Sequence, residues 1–319
     1  MQNKKWIKKG CLFDVSKDWG ASFGFTYSHK PTAIQMDDET IRVYYGFRGE
    51  LNHTKTSFVD IDVRDFSLKY IHKKIVLDVG KIGTFDDAGA QVCSVVRVDA
   101  NTLYMYYIGW NTSTTVPYRN SLGLAISRDN GYTFERAYDG PILERYLNEP
   151  YHIGASDIRY DGKIWRMWYN SGNGYRIIDG NPEYTCHIKY ATSKDGIIWR
   201  RENIVCIEKE YEDEIVARPS VLYIDGKYIM FYSRRSVIDF RTDNHHSYKM
   251  GYAESIDGIH WTRMDSQVAQ IEISDDPNDW DSQMVAYPFV LEIKGKLVAF
   301  YNGNTFGKTG FGCAVLEDE

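Results

Sequence analysis

The chain has 319 residues and a formal net charge of −6, and 15% of its residues are aromatic, among them 25 Tyr and 8 Trp. The acidic balance argues against nucleic acid as a partner, because phosphate contacts require a basic surface. We expect no membrane span, since no long apolar run occurs, and no signal peptide, since the first residues lack an apolar segment.

The cysteine and histidine patterns indicate neither a disulfide framework nor a metal site. Thiols at unpatterned spacings are typical of a reduced, cytoplasmic protein, and we predict that location. The five cysteines are Cys11, Cys93, Cys186, Cys206 and Cys313. We interpret the pair His245-His246 as part of a polar loop rather than as metal ligands. We therefore expect no metal ion and no cofactor.

The N-terminal segment 5–13 reads as an isolated strand. The stretch "KKWIKKGCLF" resembles "IIWRRENIVCI" further along, and Trp6 stands where Trp199 and Trp261 stand in later segments. The last strand-like run, "GFGCAVLE", has no further run after it. We predict that residues 5–13 pair with that run, so that no open sheet edge remains.

From residue 28 onward, two landmarks recur with one period. Apolar anchors are each followed by an aromatic pair, and both landmarks return at intervals of 62 to 69 residues. The anchors are Ala33, Val95, Ile158, Val221 and Val290, and the pairs end at Tyr45, Tyr107, Tyr169, Tyr232 and Tyr301. Repetition at a fixed period indicates repeated supersecondary units.

Each repeat reads as four strands. Two alternating runs flank Asp161-Gly162, Asp225-Gly226 occupies the same place one repeat later, and both dipeptides favour tight hairpin turns with positive φ at both positions. The pattern predicts an all-β fold, a five-bladed β-propeller with four antiparallel strands per blade and a ring closed by the N-terminal strand. A β-sandwich would not produce a constant period. Residues 1–319 would form one domain, with blades at roughly 28–80, 88–145, 153–210, 216–272, and 285–319 plus 5–13.

A third phrase joins the third and fourth strands, as in "SRDNGYTF", "SKDGIIW" and "SIDGIHW". The first of these resembles the Asp-box of sialidase propellers. Its aspartates either bind a ligand or accept hydrogen bonds from turn amides. We favour the turn, because the phrase recurs where no site is needed.

The long connections all fall on one face of the predicted propeller. Strands one and two, and strands three and four, are joined by short turns on the opposite face. The long connections are residues 47–55, 79–91, 110–120, 144–155, 171–185, 208–217, 234–247, 272–287 and 303–309. Long loops on a rigid scaffold carry function more often than tight turns do, so we place the site at the channel mouth on this face.

The residues predicted at that mouth are polar, charged or aromatic. Such groups hydrogen-bond hydroxyls and stack on sugar faces, which favours a carbohydrate or a sugar nucleotide as the ligand. Asp157 faces either the channel or the core, and Arg218 and Arg234 are equally compatible with structural ion pairs. The predicted substrate-binding residues are His29, Lys30, Arg48, Gln91, Trp110, Glu149, His152, Asp157, Asn170, Arg218, Arg234, Gln283, Tyr287 and Asn302.

The whole chain resembles the five-bladed propeller glycosidases of glycoside hydrolase families 43, 32 and 130. More narrowly, it resembles uncharacterised propeller proteins that accompany bacterial surface-polysaccharide genes. The resemblance rests on "GTFDDAG", "LGLAISRDNGYTFER", "YATSKDGIIWRR", "RPSVLYIDGKYIMFYS" and "DWDSQMVAYP". It implies a propeller fold and a glycosidase-like activity.

The catalytic positions implied by that resemblance are not occupied by acids. Families 43 and 32 place an aspartate before a first-strand proline, where this chain has Lys30, Ala155 and Arg218, and the general-acid position falls on Ala217. Any catalytic acids must then come from the connections before inner strands of different blades. We predict Asp87, Glu214 and Asp281 as the catalytic carboxylates.

Two functional hypotheses follow from these residues. The leading one is a carbohydrate-active enzyme, glycoside hydrolase-like or glycosyl-transferring, that uses carboxylate acid/base chemistry at the funnel. The alternative is a non-catalytic sugar-binding or scaffold propeller in polysaccharide biosynthesis. The missing family acids favour the alternative, and the wealth of other acids around the funnel favours the enzyme.

Overall fold

A computed structural model describes residues 4–243 and 246–318, and this part of the chain is built almost entirely from strands. The N-terminal strand is β1 (Lys4–Phe13). Sheet 1 follows with β2 (Thr26–Gln35), β3 (Thr40–Arg48), β4 (Thr54–Asp62) and β5 (Leu68–Ile71). Sheet 2 contains β6 (Gly89–Arg97), β7 (Leu103–Thr112), β8 (Tyr118–Ser127) and β9 (Glu135–Arg136).

The remaining strands form three further sheets of four. Sheet 3 contains β10 (Ile153–Tyr160), β11 (Trp165–Ile178), β12 (Asn181–Ser193) and β13 (Trp199–Ile207). Sheet 4 contains β14 (Glu214–Ile224), β15 (Lys227–Ser236), β16 (Lys249–Ser255) and β17 (Thr262–Arg263). Sheet 5 contains β18 (Ala286–Ile293), β19 (Lys296–Asn302), β20 (Phe311–Asp318) and β1.

Helical structure is confined to short turns. One turn of helix, α1 (Asn304–Gly307), follows β19, and 3-10 turns occupy Val15–Lys17, Trp19–Phe23, Glu50–Asn52 and Asp265–Gln267. None of the helices in residues 4–243 and 246–318 has the length and apolarity to cross a membrane. The predictions of an all-β fold and of four-stranded antiparallel sheets are therefore confirmed. A single parallel bridge, Thr54 to Gly89, links sheets 1 and 2.

The N-terminal strand lies where its tryptophan predicts. β1 pairs antiparallel with β20, from Lys4 opposite Asp318 to Phe13 opposite Phe311. Trp6 is buried against Phe231 of sheet 4, and its indole N–H donates to the Ala269 carbonyl at 3.0 Å. Each outer-strand tryptophan likewise packs on the preceding sheet: Trp199 contacts Tyr106 and Trp261 contacts Trp168.

The apolar anchors of the repeat are the points where neighbouring first strands are joined. The backbone N–H of Ile158 donates to Ser94 Oγ at 3.1 Å, that of Val221 to Asp157 Oδ2 at 2.6 Å, and that of Val290 to Ser220 Oγ at 2.9 Å. The five first strands contact one another in the order β2, β6, β10, β14, β18 and β2 again. One period of the sequence thus corresponds to the distance along the chain from the first strand of one sheet to the first strand of the next.

The turns between third and fourth strands also serve sheet-to-sheet contact. Tyr44 Oη donates to the Gly131 carbonyl, Tyr106 Oη to the Gly196 carbonyl, and Trp168 Nε1 to the Gly258 carbonyl, at 2.7 to 2.9 Å. In each turn an aspartate oxygen accepts two backbone N–H groups; these are Asp129, Asp195 and Asp257. These aspartates make the turn contacts that the structural interpretation of the phrase expects.

Two local expectations were wrong. Residues 171–185, expected to be a loop, continue β11 and β12 as a paired hairpin whose turn is Asp179-Gly180, with φ of 49° and 78°. This Asp-Gly dipeptide carries the same turn signal as Asp225-Gly226, where φ is 50° and 81°. Asp161 does not adopt positive φ; its carboxylate instead accepts the N–H groups of the two residues after Gly162.

Replacement of Trp6 by alanine is expected to lower the free energy of unfolding by about 3–5 kcal/mol, because the change leaves a cavity and an unpaired carbonyl between sheets 4 and 5. Urea denaturation measures the loss. The matched control is Lys5→Ala in the same strand, whose side chain is exposed and whose loss is expected to stay within about 0.5 kcal/mol. Equal midpoints for the two variants would contradict this role of β1.

Candidate functional site

A buried arginine lies between the first strands of several sheets. The Arg218 side chain has 0% exposure, and its guanidinium donates to the Cys93 carbonyl at 2.8 Å, the Pro31 carbonyl at 3.0 Å and Thr32 Oγ1 at 2.8 Å. It also lies 5.2 Å from the Phe289 ring centroid. Arg218 belongs to sheet 4 and thereby reaches sheets 1, 2 and 5, so this side chain plugs the centre of the structure.

Arg218 is one of three residues that enter the channel from a strained bulge. Lys30, Arg218 and Tyr287 precede prolines and have φ of 50°, 55° and 56°, a conformation that ordinary residues avoid. Each backbone N–H is held by the residue after the aromatic pair of the preceding sheet. Lys30 donates to Asn302 Oδ1, Arg218 to Asn170 Oδ1, and Tyr287 to Ser233 Oγ, at 2.8 to 3.1 Å.

Cations and rings surround the channel mouth. Lys30 Nζ lies 5.2 Å from the Tyr287 ring centroid, and the Arg48 guanidinium lies 4.2 Å from that of Tyr27. Burial together with the charges of Arg218 and Arg48 lowers the pKa of Lys30 to about 8. Arg48 also donates to Asn52 Oδ1 at 3.2 Å.

Two buried histidines adjoin the same cations. Burial is the main reason that the pKa of His152 falls to about 4, with the Lys30 charge adding to it. Burial, Arg48 and Lys30 likewise hold the pKa of His29 well below its usual value. Both imidazoles are therefore neutral at pH 7. The His152 ring lies 4.6 Å from the Tyr184 ring, centroid to centroid.

Five buried polar atoms at this mouth have no hydrogen-bond partner within the residues that the structure describes. They are His29 Nε2, Arg48 Nε, Gln91 Oε1, His152 Nδ1 and Arg218 Nε. Buried polar groups in folded proteins are almost always paired. Unpaired atoms gathered at one place are typical of a site that a ligand completes.

A cavity of about 520 Å³ opens beside the mouth, between the β11–β12 hairpin, the segment after β15 and the start of β8. Tyr184 lines this cavity, and its ring also contacts the His152 ring, so the cavity lies next to the mouth residues. Its polar and aromatic lining consists of Tyr118, Tyr175, Asp179, Asn181, Glu183, Tyr184, Asp239, Phe240, Arg241 and Thr242. Sequence reasoning placed loops here but named none of these residues. The alternating run through the extended hairpin was the signal that could have found them.

The predicted catalytic acids Glu214 and Asp281 are buried and paired with cations. Glu214 accepts two bonds from Arg263, each 2.9 Å, and Asp281 lies 2.8 Å from Lys8 Nζ. Tyr301 Oη also donates to Asp281 at 3.0 Å. Their catalytic roles stay predictions, but each carboxylate already neutralises a cation from an outer strand.

The same arrangement of tyrosine, acid and cation recurs in other sheets. Glu149, predicted to bind substrate, accepts from Tyr169 at 2.9 Å, from Ser171 at 2.8 Å and from Arg201 at 2.8 Å. Sheet 2 has Asp86 in this place, bonded to Tyr107 and Arg136. The tyrosine that ends each aromatic pair thus donates a hydrogen bond to an acid in sheets 2 to 5; in sheet 4 the acceptor is Asp265.

Asp87, the third predicted acid, differs from the other two. It lies half-buried in the connection before β6, where Oδ2 accepts the Gly83 N–H at 2.9 Å. No ion pair to Asp87 occurs among the residues that the structure describes. Its second oxygen therefore stays free for other contacts.

The other predicted ligand contacts divide between the mouth and the framework. His29, Lys30, Arg48, Gln91, His152, Arg218 and Tyr287 gather at the mouth, where Asn170 and Asn302 hold the bulges. Asp157 joins sheets 3 and 4, Arg234 pairs with Asp265 at 3.4 Å, Trp110 packs over Gly89, and Gln283 is exposed. Asp157 is buried and accepts the Val221 N–H, which is compatible with either of its two predicted directions.

One group of carboxylates lies close enough to hold a cation. Oxygens of Glu210, Glu214 and Asp265 lie within 4.8 Å of one another. Arg263 bonds Glu214 and Asp265, and it lies 3.3 Å from Glu210, so its guanidinium already balances part of this charge. Of the pair His245-His246, His245 lies outside the described residues. His246 Nδ1 lies 3.4 Å from Asp243.

Comparison with known proteins identifies close relatives and similar folds. No family model matches. Two uncharacterised Mycobacterium tuberculosis proteins, MT1551 and Rv1502, are each 32% identical over 317 residues, which is 98% of this chain and 99% of theirs.

Solved structures of glycoside hydrolases share the fold. The complex of BT0996 with RGII superposes with a TM-score of 0.72 at 18% identity, over 98% of this chain and 91% of that one. A Bombyx mori GH32 beta-fructofuranosidase gives 0.64 at 14% identity, over 94% and 65%. A thermostable family-43 glycoside hydrolase gives 0.61 at 17%, over 92% and 88%. The chain therefore has the fold of the glycosidase-like propeller superfamily.

Replacement of Arg263 by methionine is expected to cost about 3–5 kcal/mol of unfolding free energy, because it leaves the Glu214 carboxylate buried without its cation. Urea denaturation at pH 7 measures the change. Arg200→Met is the control, since Arg200 is 78% exposed in its pair with Glu202 and is expected to cost no more than about 1 kcal/mol. The double variant Arg263→Met/Glu214→Gln should recover part of the loss. A single variant as stable as wild type would contradict the structural role of this pair.

Proposed function

The chain belongs to the same family as the Mycobacterium tuberculosis proteins MT1551 and Rv1502, and we propose that it is a carbohydrate-active enzyme. Its substrate would be a glycan or an activated sugar such as a sugar nucleotide. The observation that carries the proposal is the cavity of about 520 Å³ beside the mouth, which is lined by tyrosines and carboxylates. Rings that stack on sugar faces and oxygens that bond hydroxyls are the chemistry of a carbohydrate pocket.

We further propose that the five sheets form a closed five-bladed propeller within a single domain of residues 1–319. Three observations support this. The first strands contact one another in a cycle that returns to β2. The polar residue after an aromatic pair holds the next sheet's bulge, and Asn302 of sheet 5 holds Lys30 of sheet 1 in the same way. β1 supplies the fourth strand of sheet 5. A closed ring would fix the mouth residues of all five sheets around one axis.

Glycoside hydrolysis requires two carboxyl groups across the scissile bond, one to protonate the leaving oxygen and one to activate water or attack carbon. Among Asp87, Glu214 and Asp281, we rank Asp87 first, because its carboxylate is half-buried and free of a cation. Glu214 and Asp281 would have to leave Arg263 and Lys8 to take part.

The cavity offers carboxylates of its own as further candidates. Asp179, Glu183 and Asp239 line it, and Glu183 lies 2.5 Å from Arg241. Asp239 has φ of 54°, a conformation that costs energy and recurs at functional sites. An acid from the cavity would then supply one of the two carboxyl groups, and Asp87 from the connection before β6 would supply the other.

The second candidate function is a non-catalytic sugar-binding or scaffold protein in polysaccharide biosynthesis. The observation that favours it is the pairing of the buried Glu214 and Asp281 carboxylates with cations. In addition, Lys30 and Arg218 occupy the bulge positions at which the similar glycosidase families place aspartates. A binding protein needs the aromatic cavity but no free acid. The cytoplasmic location stays a prediction.

Catalysis is tested by turnover of aryl glycosides and sugar nucleotides. We expect Asp87→Asn and Asp239→Asn to lower kcat by about 10²-fold or more, the usual effect of removing an acid/base group. Glu214→Gln should chiefly lower stability. The control is Asp225→Asn, in the short turn between β14 and β15. If no substrate turns over while sugars still bind, the binding protein is the correct function and the enzyme is rejected.

Sugar binding is tested independently of turnover. Tyr184→Ala removes a ring that borders both the cavity and His152, so we expect about tenfold weaker binding of a retained sugar or glycan, from loss of stacking and burial. Calorimetric titration measures the affinity. Tyr223→Ala is the control, because Tyr223 is 62% exposed and lies outside this cavity. Equal affinities of the two variants would exclude the cavity as the sugar site.

A further inference from the structure

Positive charge at the channel mouth is not balanced by acids. Three cationic side chains, Lys30, Arg48 and Arg218, lie close together there. Besides burial, the charges of Arg218 and Arg48 lower the pKa of Lys30, and those of Arg48 and Lys30 lower the pKa of His29. The carboxylate that acts on Arg218 is Asp157, which is itself bonded to Arg159 at 2.9 Å and to the Val221 N–H. Buried charges without a counterion are costly and are normally paired.

The Lys30 ammonium is free to accept a counterion. No hydrogen bond or ion pair to Lys30 Nζ occurs within residues 4–243 and 246–318; the atom lies 5.2 Å from the Tyr287 ring centroid. The side chain keeps part of its surface accessible. A lysine with a structural role would be expected to bond a carbonyl or carboxylate, as Lys189 bonds Asn203 Oδ1 at 2.7 Å.

The unpartnered atoms around Lys30 suit an anion. His29 and His152 are neutral imidazoles, each with an unpartnered ring nitrogen that could carry a proton for donation. Arg48 Nε and Arg218 Nε are further N–H groups without an acceptor. The buried groups that lack a partner are thus mostly donors, and the missing partner must be an acceptor.

We propose that His29, Lys30, Arg48 and His152 form an anion subsite at the channel mouth, which takes a phosphate or carboxylate group carried by the sugar ligand. The contact of His152 with Tyr184 joins this subsite to the cavity, so the sugar ring would lie on the cavity side and the anionic group over Lys30. Charge-assisted hydrogen bonds from several donors make such a contact strong. The sugar part of this proposal rests on the proposed function, whereas the anion part does not.

The subsite reverses the charge expected from the fold. The resemblance to glycoside hydrolase families 43 and 32 implies aspartates before first-strand prolines, whereas this chain has Lys30 and Arg218 at such positions. The whole protein is acidic, with a net charge of −6, so a concentrated positive mouth would guide anions to one place. A neutral glycan would leave Lys30 without a counterion.

The first experiment compares charged and neutral probes by calorimetric titration. The probes are glucuronate, glucose 1-phosphate, inorganic phosphate and glucose. We expect glucuronate or glucose 1-phosphate to bind about tenfold to a hundredfold more tightly than glucose, the range for hydrogen bonds to a charged group. Tighter binding of glucuronate would indicate a carboxylate ligand, and tighter binding of glucose 1-phosphate would indicate a phosphate ligand. Charged probes that bind no better than glucose would overturn the subsite.

Variants assign the charge preference to Lys30. Lys30→Met should remove the advantage that the charged probes have over glucose, and Lys30→Arg should keep it. Lys249→Met is the matched control, since Lys249 is exposed at the start of β16. An unchanged preference in a folded Lys30→Met protein would overturn the proposal, and thermal melting establishes that the variant is folded.

The pH dependence of the wild-type protein needs no variant. The pKa of Lys30 is lowered to about 8, so the ammonium is present below pH 8 and is lost above it, whereas a carboxylate probe stays ionised throughout. Glucuronate affinity should therefore fall by up to about tenfold per pH unit above pH 8, the limit for one linked proton. In the Lys30→Arg variant, glucuronate affinity should stay constant up to pH 10. A flat wild-type profile would contradict the assignment.

The two proposals fail in different ways. If charged probes depend on Lys30 but Tyr184→Ala changes no affinity, the anion subsite stands and the sugar site is rejected. If Tyr184→Ala weakens glucose and glucuronate equally while Lys30→Met changes neither, the carbohydrate function stands and the anion subsite is rejected.

Discussion

A single buried guanidinium ties the sheets together at the centre of this protein. Arg218 lies on β14, yet its donors satisfy carbonyls and a hydroxyl of sheets 1 and 2, and it lies beside Phe289 of sheet 5. Its own backbone N–H is held by Asn170 of sheet 3. One residue thus contacts the four other sheets, through its side chain to sheets 1, 2 and 5 and through its backbone to sheet 3. Its side-chain hydrogen bonds, of 2.8 to 3.0 Å, join the first strands of sheets 1 and 2 to that of sheet 4.

The repeat uses most of its acids for stability. Tyr107, Tyr169 and Tyr301 each donate to a carboxylate that also meets a cation from a fourth strand. A buried carboxylate with two or three such partners is well satisfied. Because these contacts recur from sheet to sheet, the residues that differ between repeats are the more informative ones for function.

Those differences concentrate at one end of the sheets. The residue after the aromatic pair is Gly46, Ile108, Asn170, Ser233 or Asn302 in successive repeats. Asn and Ser bond the next bulge, whereas Gly46 leaves room for Gln91, since a Cβ there would lie 1.8 Å from Gln91 Oε1. Each sheet therefore presents a different group to the channel mouth on a common backbone. The mouth can combine cations, neutral imidazoles and rings without disturbing the packing between sheets.

The sequence by itself determined the strand count, the four-stranded sheets, the place of the N-terminal strand and the end of the sheets where polar residues gather. It could do so because these features repeat, and because alternation and turn dipeptides act over a few neighbouring residues. Only the tertiary structure decided which charged groups meet. Lys8 pairs with Asp281 and Arg263 with Glu214, contacts between residues far apart in the chain, so an acid's neighbours could not be read from its own segment. The grouping of Lys30, Arg48 and Arg218 likewise emerges only when side chains from different sheets are brought together.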